Sequence, residues 1–168
     1  MTAHWDTAHK CMPPEQLLAV ASGLPRPLVF TNGVFDLLHP GHVACLELAR
    51  EQGSALVVAL NTDASARGLS KPGWDGARPV NPLRDRVRVM AGLACVSWVT
   101  WFDDPTPAAL LQALKPEVYT KGGDYSEATL PETPLLAAWG GRVAILPRVG
   151  GHSSTALLQR IGGSDERA

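Results

Sequence analysis

Short apolar runs alternate along the chain with longer segments in which apolar residues recur at helical spacing. The run at residues 55–60 is apolar throughout, as is typical of a parallel strand that is covered on both faces. Within residues 82–94, Val87, Met90 and Ala91 fall on one face of a helix. The whole pattern predicts strands at residues 28–31, 55–60, 97–102, 117–120 and 143–146, and helices at residues 13–23, 43–52, 63–69, 82–94, 106–114, 135–139 and 153–161.

This alternation of strands and helices predicts an α/β fold in which a parallel sheet carries helices on both faces. A chain of 168 residues is long enough to bury the core of one domain. We expect that domain over residues 13–162, with a mobile N-terminal tail at residues 1–12 and a C-terminal tail at residues 163–168. In such sheets, ligands bind beyond the carboxyl ends of the strands, near the point where the strand order switches.

Composition narrows the classes of partner. The net charge of −1 argues against binding to nucleic acid or to an anionic membrane. The longest apolar runs are too short to span a bilayer, and residues 1–10 lack the apolar core of a signal peptide. Cys11, Cys45 and Cys95 are widely spaced and form no Cys-x-x-Cys motif, which predicts reduced thiols in a cytoplasmic protein.

Two histidines stand at the start of the helix that follows the first predicted strand. Pro40 suits a first helical turn, and Gly41 removes a side chain where a ligand could approach the backbone. His39 and His42 are three residues apart, so a helical start places both imidazoles on one face. Because a helix N-terminus favours anions, the pair predicts a phosphate site. The alternatives are a cap or surface role, or two metal ligands, although no nearby Cys or third His completes a metal set.

A second candidate phosphate site lies at residues 150–155, after the last predicted strand. Its two glycines predict a tight turn, and Ser153, Ser154 and Thr155 place hydroxyls at the start of the last helix. Simple helix capping is the alternative interpretation. Lys121, which follows the fourth predicted strand, and Lys71 lie in glycine-containing loops, where a cation directed at a ligand would be placed. The chain contains neither Gly-x-Gly-x-x-Gly nor a Walker A sequence, which disfavours dinucleotide oxidoreductases and P-loop enzymes.

These motifs belong to a known pattern. Residues 33–42, Gly-Val-Phe-Asp-Leu-Leu-His-Pro-Gly-His, resemble the G-x-F-D-x-x-H-x-G-H signature of the cytidylyltransferase-like nucleotidyltransferases. Residues 153–155 are similar to the hydroxyl positions of that family's second signature, a G-x-S-T-T turn. Residues 121–125, Lys-Gly-Gly-Asp-Tyr, resemble the subfamily of heptose 1-phosphate adenylyltransferases, as do residues 61–65, 78–82 and 85–86.

The resemblance implies a single-domain Rossmann-like fold and a reaction. The implied reaction transfers AMP from ATP to D-glycero-β-D-manno-heptose 1-phosphate and releases pyrophosphate, for lipopolysaccharide inner-core or related surface-sugar biosynthesis. ATP and the sugar phosphate are the implied substrates, and Mg²⁺ is implied as a bridge between phosphates that needs few protein ligands. A homodimer is also implied.

The residue types and the resemblance together assign roles to individual positions. Catalytic contacts to the phosphates are expected from His39, His42 and Lys121. Nucleotide and phosphate contacts are expected from Thr31, Asn32, Gly33, Phe35, Gly41, Gly123, Asp124, Ser153, Ser154 and Thr155. Sugar-phosphate or mobile-loop roles are expected from Asp36, Asn61, Asp63, Lys71, Arg78 and Arg86. No side chain is assigned as a metal ligand. Asp36 is expected to hydrogen-bond sugar hydroxyls or to orient a histidine.

Three alternatives stay open from the sequence. The loop at residues 70–78 is longer than the usual Lys-Gly-Pro-Gly-Arg run of the subfamily, so either Lys71 or Arg78 could reach the phosphates. Arg148 resembles the arginine of glycerol-3-phosphate cytidylyltransferases, which keeps a cytidylyltransferase acting on a small phosphate as the second hypothesis. A non-catalytic nucleotide-binding module on the same fold is the third.

Overall fold

The computed structural model describes residues 7–69, 78–123, 125–147, 150–154, 157–158 and 160. Within these residues, all strand pairs are parallel and the strands form one sheet in the order β3-β2-β1-β4-β5. The strands are β1 (Leu28–Gly33), β2 (Ala55–Asn61), β3 (Trp98–Phe102), β4 (Val118–Gly122) and β5 (Arg142–Leu146). The predicted parallel sheet is therefore confirmed, with strand bounds within two residues of those expected.

Helices cover both faces of this sheet, as predicted. The α-helices are α1 (Pro14–Ala19), α2 (Pro40–Arg50), α3 (Asp63–Gly68), α4 (Leu83–Ala91), α5 (Ala108–Leu114) and α6 (Thr133–Ala137). Leu17 of α1, Leu111 of α5 and Leu136 of α6 belong to the core on one face. Leu46 of α2 and Met90 of α4 belong to the core on the other face. None of the helices described here is both long and apolar enough to cross a membrane.

The side chains of the central strand divide between these two cores. Leu28 and Phe30 of β1 pack into one core and Val29 packs into the other, because successive side chains of a strand point to opposite faces. All seven residues of β2 are buried. The uninterrupted apolar run of β2 is thus explained by burial on both faces of the strand.

The first described residues differ from the predicted mobile tail. The backbone N–H of Met12 donates to the carbonyl oxygen of Val99 in β3 at 2.9 Å, and Cys11 forms an isolated bridge with the same residue. The Lys10 ammonium donates to the carbonyl oxygen of Leu93 at 3.1 Å. Because β3 is the edge strand, its outer backbone groups are available for pairing. The folded domain therefore begins before residue 13.

Candidate active site

A cavity of about 550 Å³ opens at the carboxyl ends of β1 and β4, where the strand order reverses. Ligand-binding cavities in proteins commonly have this volume. Most predicted site residues line the cavity: Thr31, Asn32, Gly33, Phe35, His39, Gly41, His42, Asn61, Arg78, Lys121, Gly123, Ser153 and Ser154. Lys71, Asp124, Arg148 and Thr155 lie outside the described residues. Asp36, Asp63 and Arg86 do not line it.

The two histidines of the first motif form a stacked pair at the start of α2. Their ring centroids are 3.7 Å apart and the ring planes differ by 21°. His39 is the N-cap residue of the helix, and its Nδ1 accepts the backbone N–H of His42 at 3.3 Å. Since Nδ1 is an acceptor, a neutral His39 carries its proton on Nε2. The Nε2–H of His39 is therefore the group that can donate to a ligand.

Phe35 packs against the second histidine. Its ring centroid lies 5.4 Å from that of His42, with the two planes 63° apart. The backbone of Phe35 has a φ of 49°, a value that residues other than glycine rarely adopt. A Cβ atom at Gly33 would lie 3.0 Å from Cε2 of Phe35, so the glycine leaves room for this ring. Gly33 and Phe35 thus hold His42 in its stacked position.

Burial keeps both histidines neutral. Burial and, as the smaller contribution, the neighbouring His39 together lower the pKa of His42 from 6.5 to about 4. Burial also lowers the pKa of His39, with a second contribution from His152. At neutral pH the free protein therefore presents imidazoles that act as hydrogen-bond donors and not as cations.

We expect the free energy of unfolding to decrease as the pH falls from about 6.5 to about 4, the interval between the ordinary and the folded pKa of His42. In this interval the unfolded chain takes up a proton that folded His42 refuses, so acid favours unfolding. Urea unfolding of the wild type and of His42→Gln between pH 4.5 and 7.5 tests this. The variant should lose less stability than the wild type on acidification. Equal pH dependence in the two proteins would contradict the assignment.

Lys121 is held over the cavity by a neighbouring strand. Its Nζ donates to Oδ1 of Asn32 at 2.8 Å, and the hydroxyl of Tyr119 donates to the same oxygen at 2.7 Å. The ammonium also lies 5.3 Å from the ring centroid of Tyr119 and 5.5 Å from that of Tyr125. Burial lowers the pKa of Lys121, whereas Glu132 raises it. These contacts orient a desolvated cation toward the same space as the histidines.

The second predicted phosphate turn reaches this space from the other side. Gly150 has a φ of +69°, which suits glycine, and the backbone N–H of Leu157 donates to the carbonyl oxygen of Ser153 at 3.1 Å. The hydroxyl of Ser154 is 3.4 Å from the carbonyl oxygen of Leu37, which precedes α2. The structure therefore brings the two motifs together, although they are far apart in the sequence.

Asp36 lies behind the cavity and organises a loop. Its Oδ2 accepts the backbone N–H of Val80 and its Oδ1 accepts that of Asn81, both at 2.9 Å. The Asn81 amide donates back to the carbonyl oxygen of Asp36 at 2.8 Å. Oδ2 also lies 3.6 Å from Nε of Arg78, and the Asp36 side chain is 0% exposed. These contacts enclose the carboxylate with residues 78–81, which differs from the expected contact with sugar hydroxyls and from the alternative of orienting a histidine.

Arg86 is likewise enclosed, which differs from its expected role at the substrate. Its Nε donates to the carbonyl oxygen of Asn81 at 2.9 Å, and its Nη1 donates to those of Val34 at 2.7 Å and Asn61 at 2.9 Å. Its Nη2 forms an ion pair with Asp63 at 2.6 Å. Arg86 therefore ties the ends of β1 and β2 to the loop that Asp36 holds, and Asp63 serves this contact.

Three residues near the cavity are absent from the sequence-based assignment. Tyr119 precedes Lys121 by two positions, so the two-residue period of a strand places both on one side of β4 and could have revealed it. His152 stands inside the second phosphate turn, next to residues that were assigned. Glu132 is 6% exposed and acts on Lys121 only through the folded chain, so no local pattern could reveal it. Among the described residues, no group of three His, Cys, Asp or Glu side chains could hold a metal ion.

The amino-acid sequence of this chain is similar to those of known enzymes. The chain is 53% identical to D-beta-D-heptose 1-phosphate adenylyltransferase of Bordetella bronchiseptica, over 88% of this chain and 90% of that protein. It is 55% identical to the bifunctional protein HldE of Streptomyces coelicolor, over 79% of this chain but only 28% of that longer protein.

A solved structure gives a similar result for the fold. The lipopolysaccharide core biosynthesis protein of Thermoplasma volcanium superposes with a TM-score of 0.60 and 25% identity, over 74% of this chain and 98% of that chain. The family model described as cytidylyltransferase-like matches residues 30–150, which begin within β1, include the histidine motif at the start of α2 and extend to Gly150 of the second turn. This chain therefore belongs to the cytidylyltransferase-like family.

Proposed function

We propose that this chain is a nucleotidyltransferase that transfers AMP from ATP to D-glycero-β-D-manno-heptose 1-phosphate. The products are ADP-heptose and pyrophosphate, and the pathway is lipopolysaccharide inner-core or related surface-sugar biosynthesis. The observation that carries the proposal is that the stacked histidines, Lys121 and the second phosphate turn line one cavity. The 53% identity to a heptose 1-phosphate adenylyltransferase over 90% of its length supports the choice of substrates.

The reaction is an in-line displacement at the α-phosphorus of ATP. An oxygen of the sugar 1-phosphate forms the new bond to phosphorus, the bond to the bridging oxygen of the β-phosphate breaks, and pyrophosphate leaves. The attacking oxygen is already anionic at neutral pH, so the step needs no strong general base. Catalysis then depends on orientation of the two substrates and on stabilisation of the charge that develops on the transferred and leaving groups.

Each part of the cavity has a role in this step. His39, through its Nε2–H, and His42 contact the α- and β-phosphates beside the N-terminus of α2, where free N–H groups favour anions. Ser153 and Ser154 bind the β- and γ-phosphates. Lys121 neutralises charge near the α-phosphate. The presence of these side chains in one cavity supports the assignments, and the order of the phosphates is the one that the resemblance to the two family signatures implies.

Arg78 is the second cation that we assign to the phosphates. It lines the cavity, and its Nε lies 3.6 Å from the buried carboxylate of Asp36. Asp36 also holds the backbone of Val80 and Asn81, so the carboxylate keeps the loop that carries Arg78 beside the site. Asp36 therefore acts through Arg78 and not on the sugar.

Mg²⁺ is proposed as the counter-ion of the triphosphate. The polar side chains that line the cavity among the described residues are cations, imidazoles, amides, hydroxyls and a thiol, so they suit phosphate oxygens better than a bare cation. The phosphates would therefore carry Mg²⁺ with few protein ligands, which is its usual preference in such sites. When bound, the ion would neutralise charge on the leaving pyrophosphate.

We further propose a cytoplasmic homodimer. The free thiols of Cys11, Cys45 and Cys95 suit a reducing compartment, and ATP is the proposed substrate. The homodimer rests on the resemblance to heptose 1-phosphate adenylyltransferases. Light scattering of the purified chain measures its mass directly.

Pyrophosphate release with Mg²⁺ tests the proposed function. ATP and CTP are each paired with D-glycero-β-D-manno-heptose 1-phosphate and with glycerol 3-phosphate. We expect turnover with ATP and the heptose phosphate only. Turnover with CTP and glycerol 3-phosphate would instead identify the second hypothesis, a cytidylyltransferase. No turnover in any pairing would contradict both assignments, and nucleotide titration would then test for a non-catalytic binding module.

A further inference from the structure

His152 brings a third imidazole to the cavity. Its ring centroid lies 6.1 Å from that of His39, and the two planes differ by 26°. His39 in turn stacks on His42 at 3.7 Å, so the three rings form a row along one side of the cavity. The first two histidines come from the start of α2 and the third comes from the loop after β5. The row therefore connects the two phosphate motifs.

The turn that carries His152 is shaped around its ring. Gly150 has a positive φ, and a Cβ atom at this position would lie 2.9 Å from Cδ2 of His152. A side chain at position 150 would therefore both strain the backbone and displace the imidazole. Both residues line the cavity together with Ser153 and Ser154. The imidazole thus stands next to the hydroxyls that are assigned to the outer phosphates.

His152 differs chemically from the other two histidines. It is exposed to solvent, whereas His42 is partly buried and its Nδ1 has no hydrogen-bond partner among the described residues. Burial, and to a smaller extent the neighbouring His152, lowers the pKa of His39, so the two imidazoles are close enough to affect one another electrostatically. An anion placed between them would accept N–H hydrogen bonds from both rings.

We propose that His152 is a third phosphate-binding histidine of this site, and that it contacts the end of the nucleoside triphosphate that leaves as pyrophosphate. The inference rests on the proposed nucleotidyl transfer and adds a residue to it. His152 is the direct sequence neighbour of Ser153 and lines the cavity together with Ser153 and Ser154, so we assign it to the outer phosphates as well.

The test compares His152→Phe, which keeps a ring but removes both nitrogens, with His152→Arg, which supplies a cationic donor. A charge-assisted hydrogen bond at an exposed position predicts that the phenylalanine variant raises the Kd of ATP and of pyrophosphate roughly tenfold. Titration calorimetry with Mg²⁺ measures both Kd values without any turnover. The arginine variant should restore both Kd values to within about threefold of the wild type. His9→Phe, which changes an exposed histidine on the 3₁₀ turn at Ala8–Lys10, is the matched control and should change neither.

The KM values of the two substrates distinguish a role at the triphosphate from a general effect on the site. In the steady state, His152→Phe should raise KM for ATP and leave KM for the sugar phosphate within about twofold of the wild type. Unchanged Kd values for ATP and pyrophosphate, or an equal rise in both KM values, would overturn the role of His152. If the wild type binds ATP but transfers nothing to the heptose phosphate, the proposed function fails, while the calorimetric comparison still decides the role of His152.

Discussion

Replacing His42 with alanine is expected to lower kcat by roughly 10² to 10³, which is the usual effect of removing one preorganised donor from a developing anion. His42 is held by the stacked ring of His39 and by the edge of Phe35, so its position is set before the substrates bind. The low pKa of about 4 means that the imidazole of the free protein is neutral at pH 7. Its contribution is therefore a positioned donor and not a permanent charge.

Steady-state pyrophosphate release with ATP and the heptose phosphate measures this effect. His9→Ala is the matched control, because His9 is an exposed histidine remote from the residues that line the cavity. Both variants should unfold at nearly the same temperature as the wild type, since neither change removes a large apolar side chain. A kcat of His42→Ala within a few-fold of the wild type would mean that the stacked pair does not bind the reacting phosphates.

The second large effect is expected on stability, from Arg86→Met. The Arg86 side chain is fully buried and donates to the carbonyl oxygens of Val34, Asn61 and Asn81 and to the carboxylate of Asp63. Methionine has no donor, so the three carbonyl oxygens lose a buried partner, whereas the carboxylate of Asp63 is 34% exposed and can still be solvated. Leaving one buried acceptor unsatisfied typically costs about 1 to 3 kcal/mol, so we expect a loss of about 3 to 5 kcal/mol in the free energy of unfolding.

Urea unfolding measures the loss, and Arg84→Met is the control on the same helix. The Arg84 side chain is 86% exposed and pairs with Asp85 on the surface, so its removal should change stability by about 0.5 kcal/mol or less. Arg86→Lys should be intermediate, because an ammonium cannot reproduce the fork of a guanidinium. Equal stability of the Arg86→Met and Arg84→Met variants would exclude a structural role for Arg86.

Loss of Arg86 should also change substrate binding, because Arg86 contacts the loop at residues 78–81 that carries Arg78. The carbonyl oxygen of Asn81 accepts a hydrogen bond from Nε of Arg86. The backbone N–H and the side-chain amide of Asn81 both donate to Asp36. Asp36 in turn pairs with Arg78 at the cavity. Any folded fraction of Arg86→Met is therefore expected to show a raised KM for its substrates.

Local patterns were sufficient to predict the five strands and the geometry of the first motif. The apolar run at residues 55–60 predicted β2, because a strand buried on both faces shows no alternation of apolar and polar residues over such a run. A helix was predicted to begin at residue 63, and Thr62 caps α3 by accepting the backbone N–H of Ser65 at 3.2 Å. The three-residue spacing of His39 and His42 predicted their common face, because a helical start has a fixed geometry. Each of these inferences depends only on residues close together in the chain.

Roles that depend on distant residues could not be predicted in this way. Asp36 and Arg86 are charged residues near a phosphate motif, and such residues are expected to face the ligand. Asp36 instead accepts hydrogen bonds from a loop that is more than forty positions away in the sequence. Arg86 donates hydrogen bonds to acceptors in three separate segments of the chain. The same applies to the N-terminal segment, which pairs with the edge of β3 through Met12 and Val99. Polarity alone does not distinguish a side chain that faces a ligand from one that binds buried backbone.

The sequence by itself thus determined the parallel α/β architecture, the two phosphate motifs and the position of Lys121 near the carboxyl end of a strand, because hydrophobic period and turn chemistry act over a few residues. Only the tertiary structure decided that β1 lies beside β4, that His152 stands next to His39, and that Asp36 and Arg86 support the site from behind. These arrangements depend on strand order and on the pairing of buried polar groups across the whole domain, and both are set by packing and not by local spacing.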